Sequence, residues 1–291
     1  MRGEDSIENR SAWWRMAEFV KLSHTVFALP FALISMMVAA GGWPKWTTFF
    51  WILVCMVCAR TAAMAFNRVI DWEIDQQNPR TVNRHKLVTK QTGLWLVLLS
   101  SVVFAFACWN LNLLCMALCP VALGLISFYS VTKRFSSWSH FFLGLALGAA
   151  PMGAWAAVRG ELWSVAPYIL ASAVLFWVFG FDLIYATQDA EFDRKAGLYS
   201  FPATYGIERS LQVAVLLHGF SALAMAAFGW FAGLGWTYGL AWIVAVVGLA
   251  YEHHLTGLGD PQKINQAFFQ VNAVVSISLL IGVGLHYLIE L

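Results

Sequence analysis

Charge is what this chain has least of. Only 12% of its 291 residues are Asp, Glu, Lys or Arg, against 60% hydrophobic. That excludes an ordinary soluble domain, in which about a quarter of residues are charged. The stretches 22–44, 91–132, 135–158, 162–181, 210–251 and 264–289 contain none of the four charged types. Cysteine is scarce too. Five Cys in a chain of this length make no disulfide framework, and Cys55-x-x-Cys58, inside an apolar stretch, reads as small packing residues. No Glu-x-x-His pair occurs, which argues against a di-iron carboxylate bundle. The seven histidines show no metal-ligand spacing. His253 and His254 are adjacent and face different sides of a helix, and His24 is a weaker site candidate than Arg60.

A bilayer core needs roughly 20 apolar residues per helix. Two charge-free runs, 91–132 and 210–251, hold two spans each, with turns at Asn110–Asn112 and Gly229–Gly235. The sequence therefore predicts an all-α polytopic membrane bundle of about nine spans. They lie near 22–42, 47–70, 91–109, 112–131, 137–157, 166–188, 210–231, 236–254 and 266–288. Residues 1–291 read as a single domain, with 1–21 an N-terminal segment. The first apolar run is too long for the h-region of a signal peptide and counts as the first span.

With nine spans and a cytoplasmic N-terminus, all of the 18 basic residues except Lys45 and Arg159 fall on the inside, as the positive-inside rule requires. In a bacterium that membrane is the cell inner membrane. A net charge of +2 implies no nucleic acid, and nothing calls for an obligate protein partner. Asp71 and Asp189 end spans two and six, with four helices between them. This predicts a four-plus-four pseudo-repeat plus one helix, a plan used by transporters and enzymes alike. Gly144-x-x-x-Gly148 fits close packing of span five.

Asn67, Asp71 and Asp75 are spaced four apart, as are Asp189 and Asp193, with Asp182 seven residues earlier. Residues at such spacing share a helix face. Pro79 ends the first acidic helix, and Gly197 and Pro202 end the second. Two such ladders on one membrane face suit Mg²⁺, an ion held by a few carboxylates together with substrate phosphates. Arg60 lies on the face of Asn67 but about 10 Å deeper, and an ionisable residue at that depth is a functional candidate. Arg68, Arg80, Arg84, Lys133, Arg134 and Lys195 border the same mouth, where basic side chains can neutralise a diphosphate. Tyr185 lies near the second acidic stripe. A secondary transporter is the rival from another class; it predicts acids near mid-membrane rather than at one mouth.

These residues resemble the UbiA superfamily of intramembrane aromatic prenyltransferases. Asn-Arg-Val-Ile-Asp-Trp-Glu-Ile-Asp at 67–75 is similar to its first signature. Asn-Pro-Arg-Thr-x-Asn-Arg at 78–84 is similar to the segment after it. The run from Asp182 to Asp193 is similar to the second signature, and Tyr-Ser-x-x-Lys-Arg-Phe at 129–135 resembles a third segment, which adds Tyr129. Arg84-His85-Lys86 departs from the pattern, where many members carry Arg-Pro.

The segments Lys21 to Ala32 and Arg60 to Arg68 look most like bacterial 4-hydroxybenzoate polyprenyltransferases of ubiquinone biosynthesis. Some proteins of that appearance belong instead to the futalosine route to menaquinone, with a dihydroxynaphthoate acceptor. The resemblance implies a Mg²⁺-dependent transfer of a polyprenyl group from its diphosphate to an aromatic acid. Asn67, Asp71, Asp75, Asp189 and Asp193 would be metal ligands, and Asp182 or Asp189 would orient or deprotonate the phenol. Arg60 is expected on the acceptor carboxylate. Haem, chlorophyll and lipid-glycerol acceptors are the other possibilities within the superfamily.

Overall fold

The structure is a computed structural model that describes residues 10–21, 25–257 and 260–290. His24 and residues 1–9 lie outside them. Every regular element among the described residues is helical. A short helix, α1 (Ala12–Phe19), precedes α2 (Thr25–Ala40) and α3 (Trp46–Ile70). The short α4 (Trp72–Gln77) leads through a 3₁₀ turn to α5 (Lys90–Leu111), α6 (Leu113–Thr132), α7 (Ser139–Arg159) and α8 (Ala166–Ala186). After a second 3₁₀ turn come α9 (Ala190–Lys195), α10 (Phe201–Tyr205), α11 (Ile207–Phe231) and α12 (Trp236–Thr256). The short α13 (Pro261–Gln266) and a π turn (Ala267–Val271) then lead into α14 (Asn272–Ile289).

Among the described residues seven helical stretches are long and apolar enough to cross a membrane: α3, α5, α6, α7, α8 with α9, α11, and α13 through α14. The other two of the nine expected spans fall outside that set. Within the described residues α2 counts as an apolar helix over Phe27–Ala40, and α12 carries Glu252, His253 and His254 in its last two turns. The chain is nonetheless a multi-pass membrane protein. Six tryptophans, Trp43, Trp46, Trp109, Trp163, Trp230 and Trp236, stand exposed near the helix ends remote from Asp71 and Asp189, as interfacial aromatics do.

Turn chemistry fixes the connections. Asn112 caps α6 by accepting the Cys115 N–H at 2.9 Å, and its amide donates to the Ala156 carbonyl at 2.7 Å. The α5–α6 turn is thereby tied to the end of α7. In lipid, helix association relies on close packing rather than on apolar burial. Gly144 and Gly148 supply it: a Cβ at either position would stand 2.6 Å and 2.8 Å from the carbonyl oxygens of Leu175 and Ala171 on α8. The result is an antiparallel bundle with α2 packed against α7 and α14. Its core is aromatic at the centre, where Phe27, Phe31, Trp177, Phe181 and Phe268 meet.

Candidate active site

The two acidic stretches lie where helices break. Instead of one long helix from 47 past Asp75, α3 stops at Ile70, Asp71 occupies the junction, and α4 begins at Trp72. The four-residue step survives the break, because Asp71 N–H donates to Asn67 O at 3.0 Å and Asp75 N–H to Asp71 O at 2.7 Å. Asn78 then turns extended, as a residue before proline must. The second stretch breaks likewise. Asp182 belongs to α8, Asp189 to the 3₁₀ turn at Thr187–Asp189, and Asp193 to α9. The tighter turn replaces the continuous helix that spacing alone predicts. Gly197 (φ 68°) ends α9, where the Leu198 N–H returns to Asp193 O at 2.9 Å.

Cations hold these carboxylates. Asp71, 2% exposed, pairs with Lys133 and with Arg134 Nη2 at 2.9 Å. Arg134 also donates to Ile70 O at 3.0 Å. Asp75 accepts Arg84 Nη1 at 2.9 Å and has Arg68 Nη1 at 3.7 Å. Asp189 is gripped from the other acidic segment. Arg80 Nε donates to its Oδ1 at 2.9 Å, Arg80 Nη2 binds its Oδ2, and Asn78 Nδ2 reaches Oδ1 at 3.2 Å. The Arg80 guanidinium also lies 4.7 Å over the Tyr185 ring. Burial works against the charge on Arg80, but Tyr185 and Asp189 hold it above the usual arginine range. Asp193 has Ser200, Asp189 and Lys133 around it. The two acidic segments therefore share one mouth, bridged by Arg80 and Asn78 and flanked by Lys133.

Below the mouth an apolar cavity of about 160 Å³ runs between α3, α5, α6 and α7. Along α6 it is lined from Tyr129 to Cys115, and along α7 from Leu143 to Ala157, a depth of about 21 Å at the helical rise. Most of the wall is Ala, Leu and Cys. Cys55, Cys108, Cys115 and Cys119 are free thiols in it, and Cys55 Sγ lies 3.9 Å from Cys108 Sγ. The polar features face the mouth: Tyr129 lies near Arg60, Arg68 and Asp182. Arg60 lines the cavity, and its Nε is buried with no hydrogen-bond partner. A buried donor in this state carries a desolvation cost until an acceptor meets it.

Comparison with known proteins shows the family. Residues 28–274 match the UbiA prenyltransferase family. The chain belongs to that family.

Among its relatives is the 4-hydroxybenzoate octaprenyltransferase of Vibrio atlanticus, 30% identical over 90% of this chain and 93% of that protein. The 4-hydroxybenzoate solanesyltransferase of Synechocystis sp. is 28% identical over 88% and 89%. A UbiA homologue from Aeropyrum pernix K1, solved in its apo form, superposes with a TM-score of 0.81 at 28% identity, covering 89% of this chain and 96% of that one. A UbiA homologue from Archaeoglobus fulgidus, solved with DMAPP and Mg²⁺, shares the fold at a TM-score of 0.70 and 15% identity, over 92% and 99%.

In this UbiA family member the structure gathers Asp71, Asp75, Asp189, Arg68, Arg80, Arg84, Tyr185, Lys133 and Arg134 at the mouth. Asn67 stands partly buried one turn before Asp71. Lys195 is not drawn in: it is exposed and pairs with Glu191 at 2.7 Å. Among the described residues no three His, Cys, Asp or Glu side chains converge as a ready-made metal cage. The donor set is one of hard oxygens on neighbouring segments, which fits an ion that substrate phosphates help to hold.

Sequence reasoning missed His140. Buried at the start of α7, it sets Nδ1 2.6 Å from Asp182 Oδ2, while the Phe201 N–H donates to its Nε2 at 3.4 Å. With Nε2 accepting, Nδ1 carries the proton and donates to Asp182. The only signal was a polar residue in the first turn of the span at 137–157.

Proposed function

We propose that this protein transfers a polyprenyl group from a polyprenyl diphosphate to the ring of an aromatic acid, 4-hydroxybenzoate, in quinone biosynthesis. The observation that carries the reading is Arg60, a buried guanidinium with an unsatisfied Nε in the wall of an apolar cavity beneath a basic and acidic mouth. Few ligands need a carboxylate, a ring and a long apolar tail in one place. The names of the relatives favour the benzoate over the naphthoate acceptor. Residues 1–291 act as one domain. The distribution of basic residues supports an N-terminus and a mouth on the cytoplasmic side of the inner membrane.

Asp71, Asp75, Asp189 and Asp193, with Asn67 as a neutral oxygen donor, would hold Mg²⁺. When bound, the ion neutralises the diphosphate and favours its departure. Arg80, Arg84, Arg68, Lys133 and Arg134 exchange their carboxylate partners for diphosphate oxygens, so the mouth gains an anion without a bare charge on either side. Arg60 takes the acceptor carboxylate and, with Tyr129, turns the ring toward the mouth. The C–O bond to diphosphate breaks, and the electron-rich carbon beside the hydroxyl attacks the allylic cation that results. Asp182, oriented by His140 and not clamped by an arginine, accepts the proton released as aromaticity returns. The cavity walls exclude water from the allylic cation and receive the tail.

Purified protein with Mg²⁺, a polyprenyl diphosphate and 4-hydroxybenzoate should form the prenylated acid, and chelation should stop it. A preparation that turns over 1,4-dihydroxy-6-naphthoate and not the benzoate would reassign the acceptor. Solute uptake driven by a gradient, with no metal-dependent product, would restore the transporter reading.

A further inference from the structure

The mechanism leaves unused a buried polar cluster on the opposite side of the aromatic core. Asn272 and Glu252 are fully buried, and the Asn272 amide is bonded at both its oxygen and its nitrogen. Asn272 Oδ1 accepts the Trp177 indole N–H at 2.7 Å. Its Nδ2 donates to Glu252 Oε1 at 3.1 Å and to the Phe268 carbonyl at 3.2 Å. That carbonyl belongs to the π turn Ala267–Val271. A π turn shifts the backbone hydrogen-bond register and leaves carbonyls that need other donors. A carboxamide is suited to the task, since it gives and accepts at once.

The turn has a consequence in the mouth. Phe268, buried within it, lies under Tyr185 with ring centroids 4.2 Å apart and planes tilted by 31°. Tyr185 in turn carries the Arg80 guanidinium at 4.7 Å, and Arg80 grips Asp189. Four groups on four segments form one stack. Phe27, at 5.2 Å, and Phe181, at 5.3 Å, brace Phe268 from the sides.

We infer that Phe268, held in place by Asn272 through the π turn, is a positioning residue for the diphosphate site: it is the shelf on which Tyr185 holds the Arg80 guanidinium at the mouth. The inference rests on reading that mouth as a diphosphate site. Its physical content is preorganisation. Arg80 must leave Asp189 when the diphosphate arrives, and a long side chain released into solvent would spread over many rotamers. Stacked on Tyr185, it has only to turn from one acceptor to the next. Without the shelf Tyr185 drops toward the core, and Arg80 loses its platform.

The test is calorimetric binding of inorganic pyrophosphate with Mg²⁺ to the full chain in nanodiscs, beside the KM values of both substrates. Phe268→Leu should weaken pyrophosphate binding about five- to tenfold, the size of an aromatic contact, and raise the donor KM alike with the acceptor KM unmoved. Phe268→Tyr should restore most of the binding. In an Arg80→Gln background, Phe268→Leu should have no further effect, because the shelf then supports nothing; a merely structural role would cost the same in both backgrounds. Asn272→Ala should mimic Phe268→Leu where it folds, and the Phe268 series decides the matter if it does not. If the parent binds pyrophosphate and Phe268→Leu binds equally well, or the two losses simply add, the shelf is wrong. If the parent itself binds no pyrophosphate, the diphosphate reading fails and takes the shelf with it.

Discussion

The two acidic segments of this molecule have similar sequences and different surroundings. Asp71, with 3% of its side chain exposed, is locked between Lys133 and Arg134 and so joins α3 to α6. Asp189, with 19% exposed, is held by Arg80 and Asn78, which arrive from the loop after the other segment. The first is built into the bundle, and the second is closed by a removable clasp. Replacement should therefore have the same chemical effect and unlike structural effects. Asp71→Ala and Asp189→Ala should each lower kcat by about 10²–10³, the usual scale for losing one preorganised electrostatic group. Only Asp71→Ala should also lower the melting temperature, since it strands two cations. Product formation at the parental rate in either variant would break the metal-ladder reading. Equal melting temperatures would erase the distinction between lock and clasp.

A second contrast separates the mouth, where every positive charge named has an anion, from the cavity, where Arg60 Nε has none. Arg60→Ala should raise the acceptor KM by about 10- to 100-fold, the value of a charge-assisted hydrogen bond in a buried site, and leave the donor KM within about twofold. Benzoate analogues without the carboxylate should bind parent and variant alike. A donor KM that rises with the acceptor KM would move Arg60 to the diphosphate.

How far each feature was legible in sequence follows from its physical range. Charge-free runs and four-residue spacing are local, so the helices, the acidic ladders and the misplaced charge of Arg60 were visible in the letters. The breaks at Asp71 and at Thr187–Asp189 were not, because Trp72 and Gln188 are as compatible with a continuous helix as with a kink. His140 was hidden among seven histidines because its partner Asp182 is 42 residues away. The Phe268 shelf depends on the π turn, α8 and the loop after α4 meeting, and no pattern in 267–272 announces a π turn. Lys195 shows the opposite case: it is close to Asp193 in sequence, but in the structure it is exposed and pairs with Glu191.

The cavity allows a finer comparison between its two ends. Near the mouth it is bounded by Arg60 and Tyr129, and deeper along α7 by Ala150, Gly153 and Ala154. A Cβ added to Gly153 meets nothing within 4 Å, so Gly153→Leu should fold and place its side chain in the path of a long tail. The expected result is a loss of about tenfold in kcat/KM for an octaprenyl donor relative to a geranyl donor. An unchanged ratio would mean that the tail leaves the bundle above Gly153.

The smallest effect expected is at the second acidic tip itself. Lys195 and Glu191 are both largely exposed and pair across one helical turn, an arrangement that contributes little in water. Lys133, by contrast, touches Asp71 and neighbours Asp193. Lys133→Ala should raise the donor KM by about tenfold or more, as expected for a desolvated charge contact, whereas Lys195→Ala should shift it by less than about twofold. Low salt should enlarge only the small Lys195 shift and so narrow the difference, because a solvent-exposed charge is screened and a partly buried one much less. Equal KM shifts for the two lysines would show that α9 turns toward the mouth when substrate binds and that the exposed position of Lys195 belongs to the ligand-free arrangement alone.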